Sequence, residues 1–179
     1  LAGVDFNYRN TRFTDTHSLT GDFWYQQSDT EGIEGDDKAY SLQTQLLTSG
    51  TGFGGRLRYT YLGDEFDPAL GFANRTGIEQ FTGFVTWRYF LRDHPLILNN
   101  FGFFGFSRTE RIDTGTLESE IINWRLLTIS THAGDELEIH AVKERENQTL
   151  PFQIRPGIVI PAGKYSFNSF EVALNTTNQ

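Results

Sequence analysis

The sequence predicts an all-β fold, an antiparallel up-and-down meander of about nine long strands that forms part of a transmembrane β-barrel. Three observations predict it. Apolar or aromatic residues alternate with polar or charged ones at period two, the spacing at which side chains occupy opposite faces of a strand. The alternating segments reach about ten residues, longer than the usual five or six of soluble sheets and long enough for a tilted bilayer crossing. The connections alternate in length, and in a meander every second connection lies at the same end.

Residues 53–61 show the pattern most clearly. Phe53, Gly55, Leu57, Tyr59 and Tyr61 fall on one face, and Gly54, Arg56, Arg58 and Thr60 on the other. Taken in order, residues 2–9 set Val4, Phe6 and Tyr8 against Asp5, Asn7 and Arg9. Residues 17–27 set Leu19, Gly21, Phe23 and Tyr25 against Thr20, Asp22, Trp24 and Gln26. Residues 38–48 set Tyr40, Leu42, Thr44 and Leu46 against Ser41, Gln43 and Gln45. Residues 78–91 place Phe81, Val85, Trp87 and Tyr89 opposite Gln80, Thr82, Thr86 and Arg88, with Phe84 out of phase. Residues 96–108 carry Phe101, Phe103, Phe104 and Phe106 on both faces, so both are expected to be covered.

Residues 117–130 set Ile122, Trp124 and Leu126 against Asn123 and Arg125, and residues 137–145 set Leu137, Ile139 and Ala141 against Glu138, His140 and Glu144. In the last strand, 164–176, the parity changes between Tyr165 with Phe167 and Phe170 with Val172 and Leu174. A bulge near Asn168 or Ser169 would account for it. The short connections are 10–15, 49–52, 92–95 and 131–136. The long ones are 28–37, 62–77, 109–116 and 146–163, the last broken by Pro151, Pro156 and Pro161.

Composition agrees with strands and turns: 15% aromatic, with 16 Phe, and 18 Gly. The absence of Cys excludes a disulfide scaffold and thiolate metal sites. A formal charge of −8, from 23 acids against 15 bases, argues against a nucleic-acid partner. No apolar run approaches the length of a membrane-spanning helix, which a strand-based crossing does not need. A count of nine is odd, whereas single-chain bacterial barrels usually have an even number of strands. With Leu1 as the first residue, residues 1–179 are expected to be one β-barrel domain that is a fragment of a larger barrel.

Several stretches, in this order, carry a family resemblance. They are Gly3-Val4-Asp5-Phe6, Gly35-Asp36-Asp37-Lys38-Ala39-Tyr40, and Phe66-Asp67-Pro68-Ala69-Leu70-Gly71-Phe72 with Arg75. Pro151-Phe152-Gln153-Ile154 and Ile160-Pro161-Ala162-Gly163-Lys164-Tyr165 follow. The chain resembles a bacterial outer-membrane β-barrel domain family of unknown function, found C-terminal to a family-9-like carbohydrate-binding module. The resemblance implies the outer membrane of a Gram-negative bacterium, with outer-membrane lipid and lipopolysaccharide as surroundings and a link to carbohydrate. It supplies no catalytic residues.

On the polar face fall Arg56, Arg58, Arg88 and Arg125 together with Asp22, Glu138, His140 and Glu144. These are the candidate lumen-lining residues, either as internal ion pairs or as a charge-selective lining. Tyr8, Tyr25, Tyr59, Tyr61, Trp87, Tyr89 and Trp124 suit interfacial girdles, where ring and polar tip are both satisfied; Trp24 falls on the polar face. Asp64, Glu65 and Asp67, and separately Glu34, Asp36 and Asp37, are oxygen-rich loop clusters of the kind calcium uses, without an EF-hand spacing. His17, His94 and His132 all fall at short turns and so share one rim, where three converging imidazoles could take zinc. No phosphate loop, nucleophile elbow or zinc-protease motif is present, so no catalytic residue and no cofactor is assigned. The expected role is a membrane-embedded scaffold or conduit linked to carbohydrate binding or uptake. The alternatives are a soluble β-sandwich that binds glycans, or a surface hydrolase with its site in the loops.

Overall fold

The computed structural model describes residues 1–29, 32, 35, 37–67 and 75–177. Of the sequence features above, Glu34, Asp36 and residues 68–72 lie outside the described residues. Among the described residues there is no helix. The strands are β1 (Ala2–Asn10), β2 (His17–Gln27), β3 (Lys38–Thr48), β4 (Gly52–Leu62), β5 (Ile78–Phe90), β6 (Ile97–Arg111), β7 (Leu117–Thr131), β8 (Glu136–Gln148), β9 (Phe152–Arg155), β10 (Ile158–Ile160) and β11 (Gly163–Asn175). Nine of them form one antiparallel sheet in the order β1-β2-β3-β4-β5-β6-β7-β8-β11, and β9 pairs only with β10. The sheet is open: β1 and β11 each have a neighbour on one side only.

Three features differ from the sequence reading. The 146–163 connection is not all loop, because it contains the β9–β10 hairpin. The connection expected at 109–116 shrinks to 112–116, because the β6–β7 ladder needs only backbone and continues through polar residues. The Arg111 amide closes it on Thr116 O at 2.9 Å, and Gly115 supplies a positive φ of 62°. The expected bulge at Asn168 or Ser169 is absent, since β11 pairs with β8 without a register shift from Gly163 to Asn175. The change of parity is real: Tyr165 and Phe167 stand on the polar face, and Phe170, Val172 and Leu174 on the apolar face. Register shifts lie instead in the β6–β7 and β7–β8 ladders; at one of them Leu126 of β7 is the extra residue between Arg125↔His140 and Leu127↔Ile139.

The apolar face is exposed. Among the described residues the only buried apolar side chains are Ala39, Phe66 and Ile78, whereas Phe6, Leu42, Leu57, Phe81, Phe170 and many others are more than half exposed. The chain presents 12280 Å² of surface, against about 8,800 Å² for a compact monomer of this size. Side chains on this face lie flat over glycines. A Cβ at Gly83 would meet Leu57 Cδ2 at 2.7 Å and Phe106 Cε1 at 2.9 Å, and one at Gly102 would overlap the Trp87 indole.

Cross-strand register shows that the apolar residues form an oblique band. Its border on the long-connection side starts at the directly paired Tyr25, Tyr40 and Tyr61. It steps down to Phe81 on β5, to Phe106 and Ile122 on β6 and β7, and to Ala141 and Phe170 on β8 and β11. The other border descends in parallel from Tyr8 and Leu19 to Leu137 and Leu174. From β2 to β11 the border drops by three cross-strand rows, about 20 Å along the strands over about 34 Å of sheet width, an obliquity of about 30°.

Candidate functional site

The polar face of the sheet collects the candidate residues. Arg56, Arg58, Arg88, Arg125, Asp22, Glu138, His140 and Glu144 all lie on it by register. One cross-strand row reads Asp22, Gln43, Arg58, Thr82, because each is the direct partner of the next. Along it Arg58 Nε donates to Gln43 Oε1 at 2.8 Å, and Gln43 Nε2 donates to Asp22 Oδ2 at 2.9 Å. The glutamine thus links a cation and an anion two strands apart. Arg125 Nε lies 2.8 Å from Glu138 Oε1. His140 Nε2 lies 2.7 Å from Asn123 Oδ1 and donates to it.

Arg56 and Arg88 are held differently. Arg56 lies over the Phe84 ring at 5.0 Å, and Phe84 stacks on Phe103 at 5.7 Å. Arg88 lies over Phe101 at 5.1 Å. Among the described residues, Arg56, Arg58 and Arg88 have no carboxylate within ion-pair distance. The two phenylalanine faces hold the guanidinium planes while leaving their N–H donors available. Between these arginines, Gly52 and Gly54 carry no side chain, and a groove of about 350 Å³ opens there beside Gln45, Thr86 and Arg88. The crowding of phenylalanines at 101–106 therefore serves both faces, with Phe101 and Phe103 beneath arginines or their partners and Phe104 and Phe106 in the apolar band.

Charge on the polar face is segregated by strand. Arg56 and Arg58 on β4, Arg88 on β5, Arg111 on β6 and Arg125 on β7 form a cationic half. Glu136, Glu138, Glu144 and Glu146 on β8 and Glu171 on β11 form an acidic half, while Glu118 at the end of β7 lies 3.6 Å from Arg111. Sequence reading missed Arg111, Glu136 and Glu146 because they fall beyond the ends of the expected strands, and Glu171 because the expected bulge left the faces of the last strand unassigned. Strict continuation of the period-two alternation would have found them.

At the long-connection end, the β9–β10 hairpin borders a cleft of about 720 Å³ whose walls include Glu146, Gln148, Phe152, Val159, Tyr165 and Phe167. The Tyr165 and Phe167 rings lie 6.5 Å apart and within 7° of parallel, and Tyr165 OH donates to Pro161 O at 2.8 Å.

The aromatic residues distribute along the band. Tyr25 and Tyr61 stand on its long-connection border with Tyr40, which stacks on Tyr61 at 4.9 Å. Tyr59 is one row inside, with its OH donating to Glu79 Oε2 at 2.9 Å. Tyr8, Trp87 and Tyr89 stand toward the short turns. Trp124 lies within the band, edge-on to Phe104 at 6.2 Å, rather than on a border.

The candidate metal ligands do not converge. Asp64, Glu65 and Asp67 are exposed, and among the described residues no group of three or more His, Asp or Glu could hold a metal ion. The three turn histidines serve backbone groups instead. His17 Nε2 donates to Phe53 O at 3.0 Å, His94 Nδ1 accepts from the Ile97 amide at 2.9 Å, and His132 Nε2 donates to His94 O at 2.9 Å.

Comparison with protein-family models, with curated proteins and with solved structures finds no match for the chain.

Proposed function

We propose that the chain is a segment of an outer-membrane β-barrel, its apolar band facing lipid and its polar face lining the interior as a scaffold or solute conduit. The observation that carries this reading is the exposed apolar band, continuous across all nine strands of the sheet and oblique to them. Membrane barrels tilt their strands by about 35–45°, so a band parallel to the bilayer must cross the strands obliquely. In water the same band would be an uncovered face, far larger than soluble monomers expose. A glycan-binding sandwich needs a second sheet over that face, and among the described residues the second sheet is the short β9–β10 hairpin.

Strand direction limits how such a barrel would close. With nine strands, β1 and β11 run the same way, from the long-connection end to the short one. Bacterial barrels close with antiparallel pairs, and an unpaired edge in lipid costs several kcal/mol per backbone group. A barrel built on this sheet would need an odd number of further strands between the two edges for an even total.

The second reading links the interior to carbohydrate, in line with the family resemblance. Its support is the near-parallel pair of Tyr165 and Phe167 in the cleft at the long-connection mouth. Flat aromatic faces offer apolar area to sugar rings.

The test is surface labelling in intact cells, with an epitope placed after Asp64 in one version and within 49–51 in another. Labelling of the first version alone is expected. Recovery of the protein from the soluble fraction, with neither epitope labelled at the surface, would discard the membrane reading.

A further inference from the structure

The apolar face of β6, β7 and β8 ends, on the long-connection side, in a row of charge. Arg108, Glu120 and Arg145 are direct cross-strand partners on these three strands. Arg108 Nη1 lies 3.2 Å from Glu120 Oε2, and Arg145 Nη1 lies 3.2 Å from Glu120 Oε1. Arg108 also pairs with Glu110, and Lys143 stands one row lower beside Ile122. The Glu120 side chain is 13% exposed, whereas those of Arg108 and Arg145 are 47% and 46% exposed. One shielded carboxylate thus holds two guanidinium groups at the surface, each with N–H donors turned to neither partner.

Arg108, Glu120 and Lys143 are the first polar positions beyond Phe106, Ile122 and Ala141, with Arg145 one row further, so the cluster follows the stepped border of the band. Charge on the lipid-facing side of a barrel is costly near the midplane and nearly neutral at the interface. That places the row at headgroup depth, where the groups it meets are lipid phosphates. Arginine grips phosphate through a planar fork and lysine as a point charge. With Lys164 one row beyond Arg145, four cations face three carboxylates, Glu79, Glu110 and Glu120, so the cluster complements an anionic headgroup better than a zwitterionic one.

On the strength of the membrane reading, we propose that Arg108, Lys143 and Arg145 form a site for the phosphomonoester headgroup of an outer-leaflet glycolipid of the lipid A type. Its acyl chains continue over the apolar surface of Phe106 and Ile122. The site lies wholly on interior strands of the sheet, so it does not depend on what pairs with β1 and β11.

The test inserts the whole barrel that contains this chain into phosphatidylcholine vesicles doped with bisphosphorylated lipid A or with lipid A stripped of its phosphates. Protease protection records insertion, and native mass spectrometry after detergent extraction records retained lipid. The phosphorylated form is expected to be retained about tenfold more, the equivalent of one charge-assisted contact. The R108Q/K143Q/R145Q variant should insert equally and lose that preference. The R9Q/R12Q/R92Q variant, which removes the same charge at the opposite end, should keep it. An unchanged preference in the first variant would overturn the site, as would displacement of lipid A by inorganic phosphate at equal concentration, which would mark a free-anion site. Failure to insert would overturn the membrane reading and this site with it, whereas insertion without any preference would overturn the site alone.

Discussion

At the scale of the residue, two neighbours on β4 separate the two faces. Leu57 is 56% exposed and pairs with Thr44 and Gly83, midway between the borders of the band. Arg58 points the other way, into its hydrogen bond with Gln43. Leu57→Arg is expected to cost about 2–4 kcal/mol, the penalty for a charge at the bilayer midplane. Arg58→Gln keeps a hydrogen-bonding group beside Gln43, and is expected to cost about 1 kcal/mol or less. Equilibrium urea unfolding from phospholipid vesicles measures both, and equal losses would show that the faces are wrongly assigned. Both residues were legible in the sequence, because period two assigns a face without reference to any partner. Pairing was not legible. Arg125 with Glu138, and Arg58 with Asp22 through Gln43, are contacts between strands that sequence spacing leaves free to slide.

At the scale of the element, phase is the quantity that matters. One Ala inserted between Leu57 and Arg58 would move Arg58 and Thr60 to the apolar face and Tyr59 and Tyr61 to the polar face. The expected outcome is loss of the heat-modifiable folded band on a gel, whereas the same insertion within the 49–51 turn leaves that band in place. β7 tolerates its own extra residue because Leu126 and Leu127 are both apolar and the bulge restores Thr128 to the polar face. Continuing the alternation of Ile122, Trp124 and Leu126 would have put Thr128 in the apolar band. β11 shows the converse. Its aromatics change parity with no bulge at all, since Tyr165 and Phe167 face the cleft beside the β9–β10 hairpin while Phe170 and those beyond it face outward.

At the scale of the whole molecule, an odd number of antiparallel strands puts the two ends of the sheet's chain on opposite sides. Ala2 lies at the long-connection end and Asn175 at the short-turn end. The chain has no Cys, so single cysteines introduced at Ala2 and at Asn175 report side without background. In oriented vesicles a membrane-impermeant maleimide is expected to label one of them from outside and the other only after permeabilisation. Labelling of both from one side would remove a strand from the count. The same scale shows the separation of charge, with arginines on β4 to β7 and glutamates on β8 and β11. A solute crossing this face would meet a transverse field rather than a uniform one.

The sequence by itself determined that the chain is a meander of long amphipathic strands, where most of them run, and which residues share a face. Each of these depends on backbone pleat and turn chemistry, which act over a few residues. Only the tertiary structure decided the register between strands. From register came the oblique band, the bulge at Leu126, the arginines stacked on Phe84 and Phe101, and the row of Arg108, Glu120 and Arg145. Register depends on how each ladder of the nine-stranded sheet aligns residues from 6 positions apart, as in Ser130↔Glu136, to 39, as in Asn175↔Glu136, and a local pattern of period two is satisfied equally well by every shift of two residues.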